Sequence, residues 1–373
     1  MAEQQEKNTP RDFRRRHRGR MAQIPIYLGK MLRMFLYQND WKVLPMAALI
    51  SGMLGMVLRG RMFVTMEGTL MGAFAIACVC IWNGCFNAIQ VICRERDVIK
   101  REHRAGMHIS SYVAAHMLYQ AFICIAQTVI TVYVTQMTGV NYNSKGVVTN
   151  VFIIEFCVTV FLITYAADLM ALWLSALCRS TTTAMTVMPF ILIFQLIFSG
   201  GMFSLPAWAE PLSALTISAS GMDVISAQAD RNNRPSNTVA NLIDRMEDSE
   251  ISGEVTLGQV LDLVVDEDMR AQKVAGDATV GDIADLAAES PGVQKILNTS
   301  YPYTIRLGDL IDIAGKKNVK DMLEKKAAEA GYSPDYERTA LNIIGYWFRL
   351  LGFIIVFAVL TVITLEFIDK DKR

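Results

Sequence analysis

Six apolar stretches, each near the roughly 20 residues a helix needs to cross a bilayer, constrain this 373-residue chain more than any other feature. They cover 43–58, 70–92, 112–137, 151–178, 184–203 and 343–367. A bilayer core offers no water to backbone N–H and C=O groups, so such stretches are expected as helices and the chain as an all-α membrane protein. The first stretch is short, with Arg59 and Arg61 marking its end. No cleavable signal peptide is expected: Arg11, Arg14, Arg15, Arg16, Arg18 and Arg20 form a basic start, but Lys30 and Arg33 interrupt the apolar run that would have to follow.

Formal net charge is zero, yet its distribution is uneven. Residues 205–338 hold 23 Asp and Glu against 13 Lys and Arg, a net of −10, so the rest of the chain carries +10. An acidic insert is thus embedded in a basic, apolar frame. With six spans, the Arg-rich arm, the 93–108 segment, Arg179 and the C-terminal Lys370–Arg373 tail share one side, and the 138–150 loop and the insert share the other. The positive-inside rule then places both termini in the cytoplasm and 205–340 outside, in the plasma (inner) membrane, with Arg59 and Arg61 as exceptions. The expected organisation is a basic arm (1–23), an interfacial helix with five spans (24–204), a mainly helical outer insert (205–340), and a last span with its tail (341–373).

Residues 93–121 set a densely charged amphipathic segment between the second and third apolar stretches, on the expected cytoplasmic side. A protein that only anchors something has little use for it, whereas one moved by a soluble motor needs a short polar handle. Before the first stretch, Ile24, Leu28, Met31, Leu32 and Phe35 line one side of a predicted helix, and Lys30, Arg33 and Tyr37 another, with Pro25 suited to its first turn. That pattern fits a helix lying in the membrane interface or an extension of the first span. Ser51/Gly55 and Gly68/Gly72 have the small-xxx-small spacing of close helix contacts.

The insert repeats a local pattern at 256–263, 279–286 and 306–313, with Gly258, Gly281 and Gly308 at its heart and Asp282 and Asp309 suited to a helical first turn. Three related helix starts, or a coincidence of helix-start chemistry, account for it. All seven cysteines lie in or beside the apolar stretches, where small apolar packing is their expected role.

Several chemistries are missing. Between Gly308 and Gly315–Lys316 there are six residues where a phosphate-binding loop has four, and no Ser or Thr follows to hold Mg²⁺. Metal-ligand spacing is absent, and no catalytic set can be nominated. His17, His103, His108 and His116 lie near charged sequence, where a solvated or hydrogen-bonded role is expected. Polar residues inside the spans are more informative. Asn83 and Asn87 share a helix face, Gln195 lies in the fifth stretch, and Asp168 in the fourth. The amides suit a substrate path or hydrogen bonds between helices; Asp168 needs a partner, a proton or water, and Arg179 lies three turns on.

With these residues read, 83–117 resembles the second-to-third-span region of the ABC type-2 permeases, in particular the eukaryotic G-subfamily exporters and their bacterial relatives. The matching positions are Asn87, Glu95 with Arg96, Arg101 with Glu102, Gly106, and Ser111 with Tyr112. Residues 199–208 and 218–223 are similar to the family's re-entrant outer segment and the turn after it. The resemblance implies a membrane subunit that pairs with a second copy and docks on ATP-binding subunits. Lys30, Arg33, Glu95, Arg96, Arg101, Glu102, His103 and Arg104 would then form the contact with the motor, and Asn83, Asn87, Gln195 and Asp168 a possible substrate path.

The chain departs from the G-subfamily in two ways. Residues 1–23 are too few for a fused ATPase, and the insert is larger than the usual outer loop and lacks its cysteines. The ATPase is therefore expected as a separate polypeptide that holds ATP and Mg²⁺, with no cofactor on this chain and no nucleic-acid partner. An exporter of amphipathic lipids, peptides or drugs is the leading expectation. A membrane sensor whose outer domain binds a ligand, and a membrane enzyme using Asp168, are the other classes.

Overall fold

A computed structural model describes residues 19–37, 40–143, 145–201, 205–247, 249–256, 273–275, 278–279, 289–298, 300–306 and 315–367, with scattered positions between 259 and 312. The Arg-rich arm up to Arg18, the repeat positions Gly258, Gly281, Asp282, Gly308 and Asp309, and the C-terminal tail lie outside the described residues. The chain forms two compact units, Met1–Pro235 with Gly331–Arg373, and Ser236–Ala330.

The first unit is helical. In order it contains α1 (Arg20–Tyr37), α2 (Val43–Leu58), α3 (Met66–Ala88), α4 (Val91–Arg104), α5 (Ile109–Met137), α6 (Phe152–Leu177), α7 (Thr181–Ile197), α8 (Glu210–Ser213) and α9 (Ile217–Gln228). Its final helix is Ala340–Glu366. Among the described residues, five segments are long and apolar enough to cross a membrane: Asp40–Leu58, Met66–Arg104, Ile109–Met137, Phe152–Leu177 and Ala340–Glu366. The fifth predicted stretch forms α7, an apolar helix of 17 residues. Helix α1 begins at Arg20, so Pro25 falls inside it and not in its first turn.

Helix α6 is the axle, packed by α3, α5, α9 and the final helix. Small residues permit the closest approach. A Cβ added at Gly84 of α3 would fall inside the van der Waals envelope of the Thr164 carbonyl and 2.8 Å from the Asp168 nitrogen. Lipid chains are as apolar as Leu, so small residues and interhelical hydrogen bonds, not apolarity, choose helix neighbours. Ser51 and Gly55 meet this expectation: Ser51 Oγ donates to Thr131 Oγ1 at 3.1 Å, and Gly55 lies against Thr135 and Thr138 of α5. Gly68 and Gly72 instead admit the turn that carries Arg61 and Met62.

Residues 205–235 also belong to this unit. Helix α9 starts where Thr216 Oγ1 accepts from the Ala219 N–H, an N-cap. At the other end of α9, Gln228 Nε2 donates to Thr159 Oγ1 at 2.8 Å, and Trp347 Nε1 of the final helix donates to the same oxygen at 2.8 Å. Glu155, fully buried in the first turn of α6, accepts at Oε2 from the backbone N–H groups of Val147 and Val148 at 2.8 and 3.1 Å.

The second unit holds helices α10 (Asn237–Glu247), α11 (Pro291–Leu297) and all but the last residue of α12 (Lys316–Gly331), which makes Ala340–Glu366 α13. It also has strands that the sequence reading did not include. Strand β1 (Glu250–Thr256) pairs antiparallel with β4 (Ser300–Arg306), Glu250 opposite Arg306 and Thr256 opposite Ser300. Strand β2 (Lys273–Ala275) pairs with β3 (Ala278–Thr279). The Val, Ile, Tyr and Thr residues of 251–256 and 301–305 have the composition that suits a strand.

Candidate functional site

The charged segment is a helix with two chemically distinct faces. Its separation from α3 has a local cause. The chain turns at Ile89 and Gln90, and Ser175 of α6 accepts from the Ile92 and Cys93 N–H groups at 3.0 and 3.1 Å. Those groups would otherwise be unsatisfied donors at a helix start. At the far end, Gly106 adopts φ +106°, a conformation that costs glycine little, and the Met107 N–H closes on the Glu102 carbonyl at 3.0 Å.

The inner face of α4 is pinned by bonds distant in sequence. Arg96 Nη1 donates to the carbonyls of Ala176 and Cys178 at 2.8 and 3.0 Å, so a guanidinium caps the C-terminal end of α6, where cations suit the helix dipole. Glu95 and Glu102, two turns apart, flank Lys30 of α1 at 4.0 and 3.3 Å. Tyr112 Oη of α5 donates to Glu95 at 3.3 Å. Gln23 bridges the other side, donating to the Gly106 carbonyl at 3.2 Å and accepting from the His108 N–H at 2.9 Å. His103 Nδ1 lies 3.1 Å from the Met107 carbonyl. Burial, with the Glu102 carboxylate as a lesser cause, pushes the Tyr27 phenol in this cluster up to about 12.

Spacing of three and four residues places Arg94, Asp97, Arg101 and Arg104 on the opposite, exposed face. Arg94 lies 3.8 Å from Asp40 at the start of the first span. The nominated set therefore divides: Glu95, Arg96 and Glu102 hold α4 to the spans, and Arg101 and Arg104 face outward. Arg33 is exposed, and Lys30 alone of the α1 pair meets the carboxylates of α4.

Of the four intramembrane polar residues, Asn87 and Asp168 are neighbours across α3 and α6, and Gln195 serves α9. Asn83 and Asn87 line a groove of about 390 Å³ with Lys42, Met46, Trp82 and Gln127. Within it Asn87 and Gln127 exchange two amide bonds at 2.8 and 3.0 Å. Gln195 caps α9: its side-chain oxygen accepts from the N–H groups of Ile217 and Ser218 at 2.9 and 3.2 Å. Asp168 is fully buried on α6 beside the Asn87 amide, which makes no hydrogen bond of good geometry to it, and Arg179 does not reach it.

His116 departs from expectation. It is 3% exposed, packs edge-on to the Tyr112 ring, and neither ring nitrogen has a hydrogen-bond partner among the described residues. Proximity to charge in sequence suggested a solvated ring, but helical phase turns it inward. With Gln120, Cys124, Gln127, Thr131 and Thr135 it forms a buried polar stripe along α5. The spacing of three and four residues makes that stripe readable from sequence. The cysteines, by contrast, are all free and buried or half-buried, as expected.

Comparison with curated proteins finds no match. The family model described as ABC-2 type transporter matches residues 21–222, from the start of α1 to the middle of α9 and including α4. The chain belongs to the ABC-2 type transporter family, as a multi-pass membrane permease component of an ABC transporter.

Proposed function

We propose that this permease exports an amphipathic substrate, a lipid, peptide or drug, driven by a separate ABC ATPase that docks on α4. The supporting observation is the two-faced helix: Arg101 and Arg104 are exposed while Glu95, Arg96 and Glu102 are bonded to α1, α5 and the end of α6. A force applied to the exposed face passes into α1 and the spans α5 and α6 through short polar contacts. Two permease copies with two ATPases complete the transporter, with ATP and Mg²⁺ held on the ATPases. The α4 end faces the cytoplasm of a plasma-membrane protein with both termini inside, six helices span, α1 lies in the interface beside membrane lipids, and 205–340 lies outside. Asn83 and Asn87 face the substrate route, whereas Gln195 serves by holding α9.

Purification in mild detergent with a stand-alone ABC ATPase, first any that is encoded beside this chain, tests the reading. Arg101→Ala should weaken co-purification, and Glu102→Ala should leave association intact but reduce ATP hydrolysis that depends on the permease. No stable association with any ATPase would overturn it. The compactness of Ser236–Ala330 favours a second reading, an outer receptor domain, in that event.

A further inference from the structure

A cavity of about 190 Å³, room for about six waters at ~30 Å³ each, lies among α1, the start of α2, the α3–α4 elbow and α5. Its wall combines Met34, Asp40, Arg94, Glu95, His116 and Tyr119. Two features define what it accepts. Carboxylates outnumber cations at the wall: Arg94 lies 3.8 Å from Asp40, and Lys30 beside the wall is shared by Glu95 at 4.0 Å and Glu102 at 3.3 Å. The imidazole of His116, almost fully buried, has hydrogen-bond capacity at two nitrogens and no partner for either among the described residues. Leaving such a group unbonded is costly, so the site is completed by something that bonds it. Val43, Phe86 and Asn87 also line the mainly apolar groove of about 390 Å³, so the polar cavity and a path for an apolar tail adjoin.

We propose that this cavity is a binding site within each subunit for the head of an amphiphile with no net negative charge, hydrogen-bonded by His116, with its tail along Met46, Trp82 and Phe86. The excess of carboxylates over cations around the wall disfavours an anionic head, which would meet like charge. The proposal rests on the amphipathic cargo class given above but not on docking of an ATPase, so the two readings fail separately.

The test uses the full chain in phosphatidylglycerol vesicles without any ATPase. Two photoreactive probes carry a diazirine in the tail: a phosphatidylethanolamine, for an amphiphile drawn from the bilayer, and an alkyl glucoside, for one drawn from water. The anionic counterpart is a diazirine phosphatidylglycerol. Mass spectrometry quantifies labelling of peptides covering 82–95 and 113–127, with labelling around the exposed Phe348 and Ile355 as the reference for bulk lipid.

Either net-neutral probe should label the site above the reference and above the phosphatidylglycerol probe. His116→Phe should reduce that labelling about tenfold, as expected for losing a hydrogen bond to a buried group. Met34→Trp, which enlarges another residue of the wall and leaves His116 in place, should do the same. Unchanged labelling in both variants, or equal labelling by the phosphatidylglycerol probe, would overturn the proposal.

Discussion

Helices α6 and α7 read alike as sequence, two apolar stretches separated by a few residues, and the structure treats them oppositely. Eighteen of the 26 residues of α6 are buried, against three of the 17 in α7. Apolarity does not separate them, because lipid is as apolar as either. Side-chain size does. Along α6, Thr159, Thr164, Ala166, Ala167, Ala171, Ser175 and Ala176 let neighbours approach, and its hydroxyls and carbonyls accept bonds from Trp347, Gln228, Arg96 and the elbow of α4. Helix α7 presents Phe190, Ile193, Phe194 and Ile197 outward and is tied to α9 by Gln195. In a bilayer, a helix becomes central by being thin and bonded, and a bulky apolar helix is left with its large side chains outward.

The most severe test of that contrast is Gly84→Leu, opposite α6. The added carbons have nowhere to go against the backbone at Thr164 and Asp168, so a loss of more than about 3 kcal/mol is expected. It should read out as loss of the monodisperse peak in size-exclusion chromatography. Next is Gln195→Leu, the exception on α7. Two buried N–H groups of α9 lose their acceptor, costing about 1–3 kcal/mol, visible as a lower Tm in detergent. Lys30→Ala should cost only about 0.2–1 kcal/mol, since its pairs with Glu95 and Glu102 are partly exposed. Its larger effect should be on permease-dependent ATP hydrolysis.

Smallest of all is Phe190→Ala on the exposed side of α7, within about 0.5 kcal/mol for the isolated subunit. Ile193→Cys on the same face should form a cross-subunit disulfide if a second copy covers it. A destabilisation by Phe190→Ala as large as that of Gln195→Leu would erase the contrast drawn here.

Legibility followed the same physics. Apolar runs and charge were local signals, so the helices from α2 to α7 and the last span emerged within a few residues of their observed bounds, as did the charged handle. Pairings were not local: Lys30 and Glu102 are 72 residues apart, and Arg96 and Ala176 are 80 apart. Sequence nominated Glu95, Arg96, Arg101 and Glu102 together, and only helical phase against neighbours divided them into an anchored and an exposed set. Gln195 read as a candidate for a substrate path because a lone amide in a span carries no sign of its partner, here the start of α9. The strands of the second unit escaped because 251–256 and 301–305 are short and lie far apart in the chain.

Sequence by itself determined the class of molecule: a helical membrane protein with a charged helix at one end of its spans and an acidic insert, because bilayer thickness and backbone hydrogen bonding leave an apolar 20-residue run little choice. Tertiary structure decided which of the equally apolar helices is the axle, which face of α4 is exposed, and that His116 is buried on a cavity wall instead of in water. Those outcomes depend on close approach between residues far apart in the chain, where one methyl group at Gly84 or one turn of phase on α5 reverses the result.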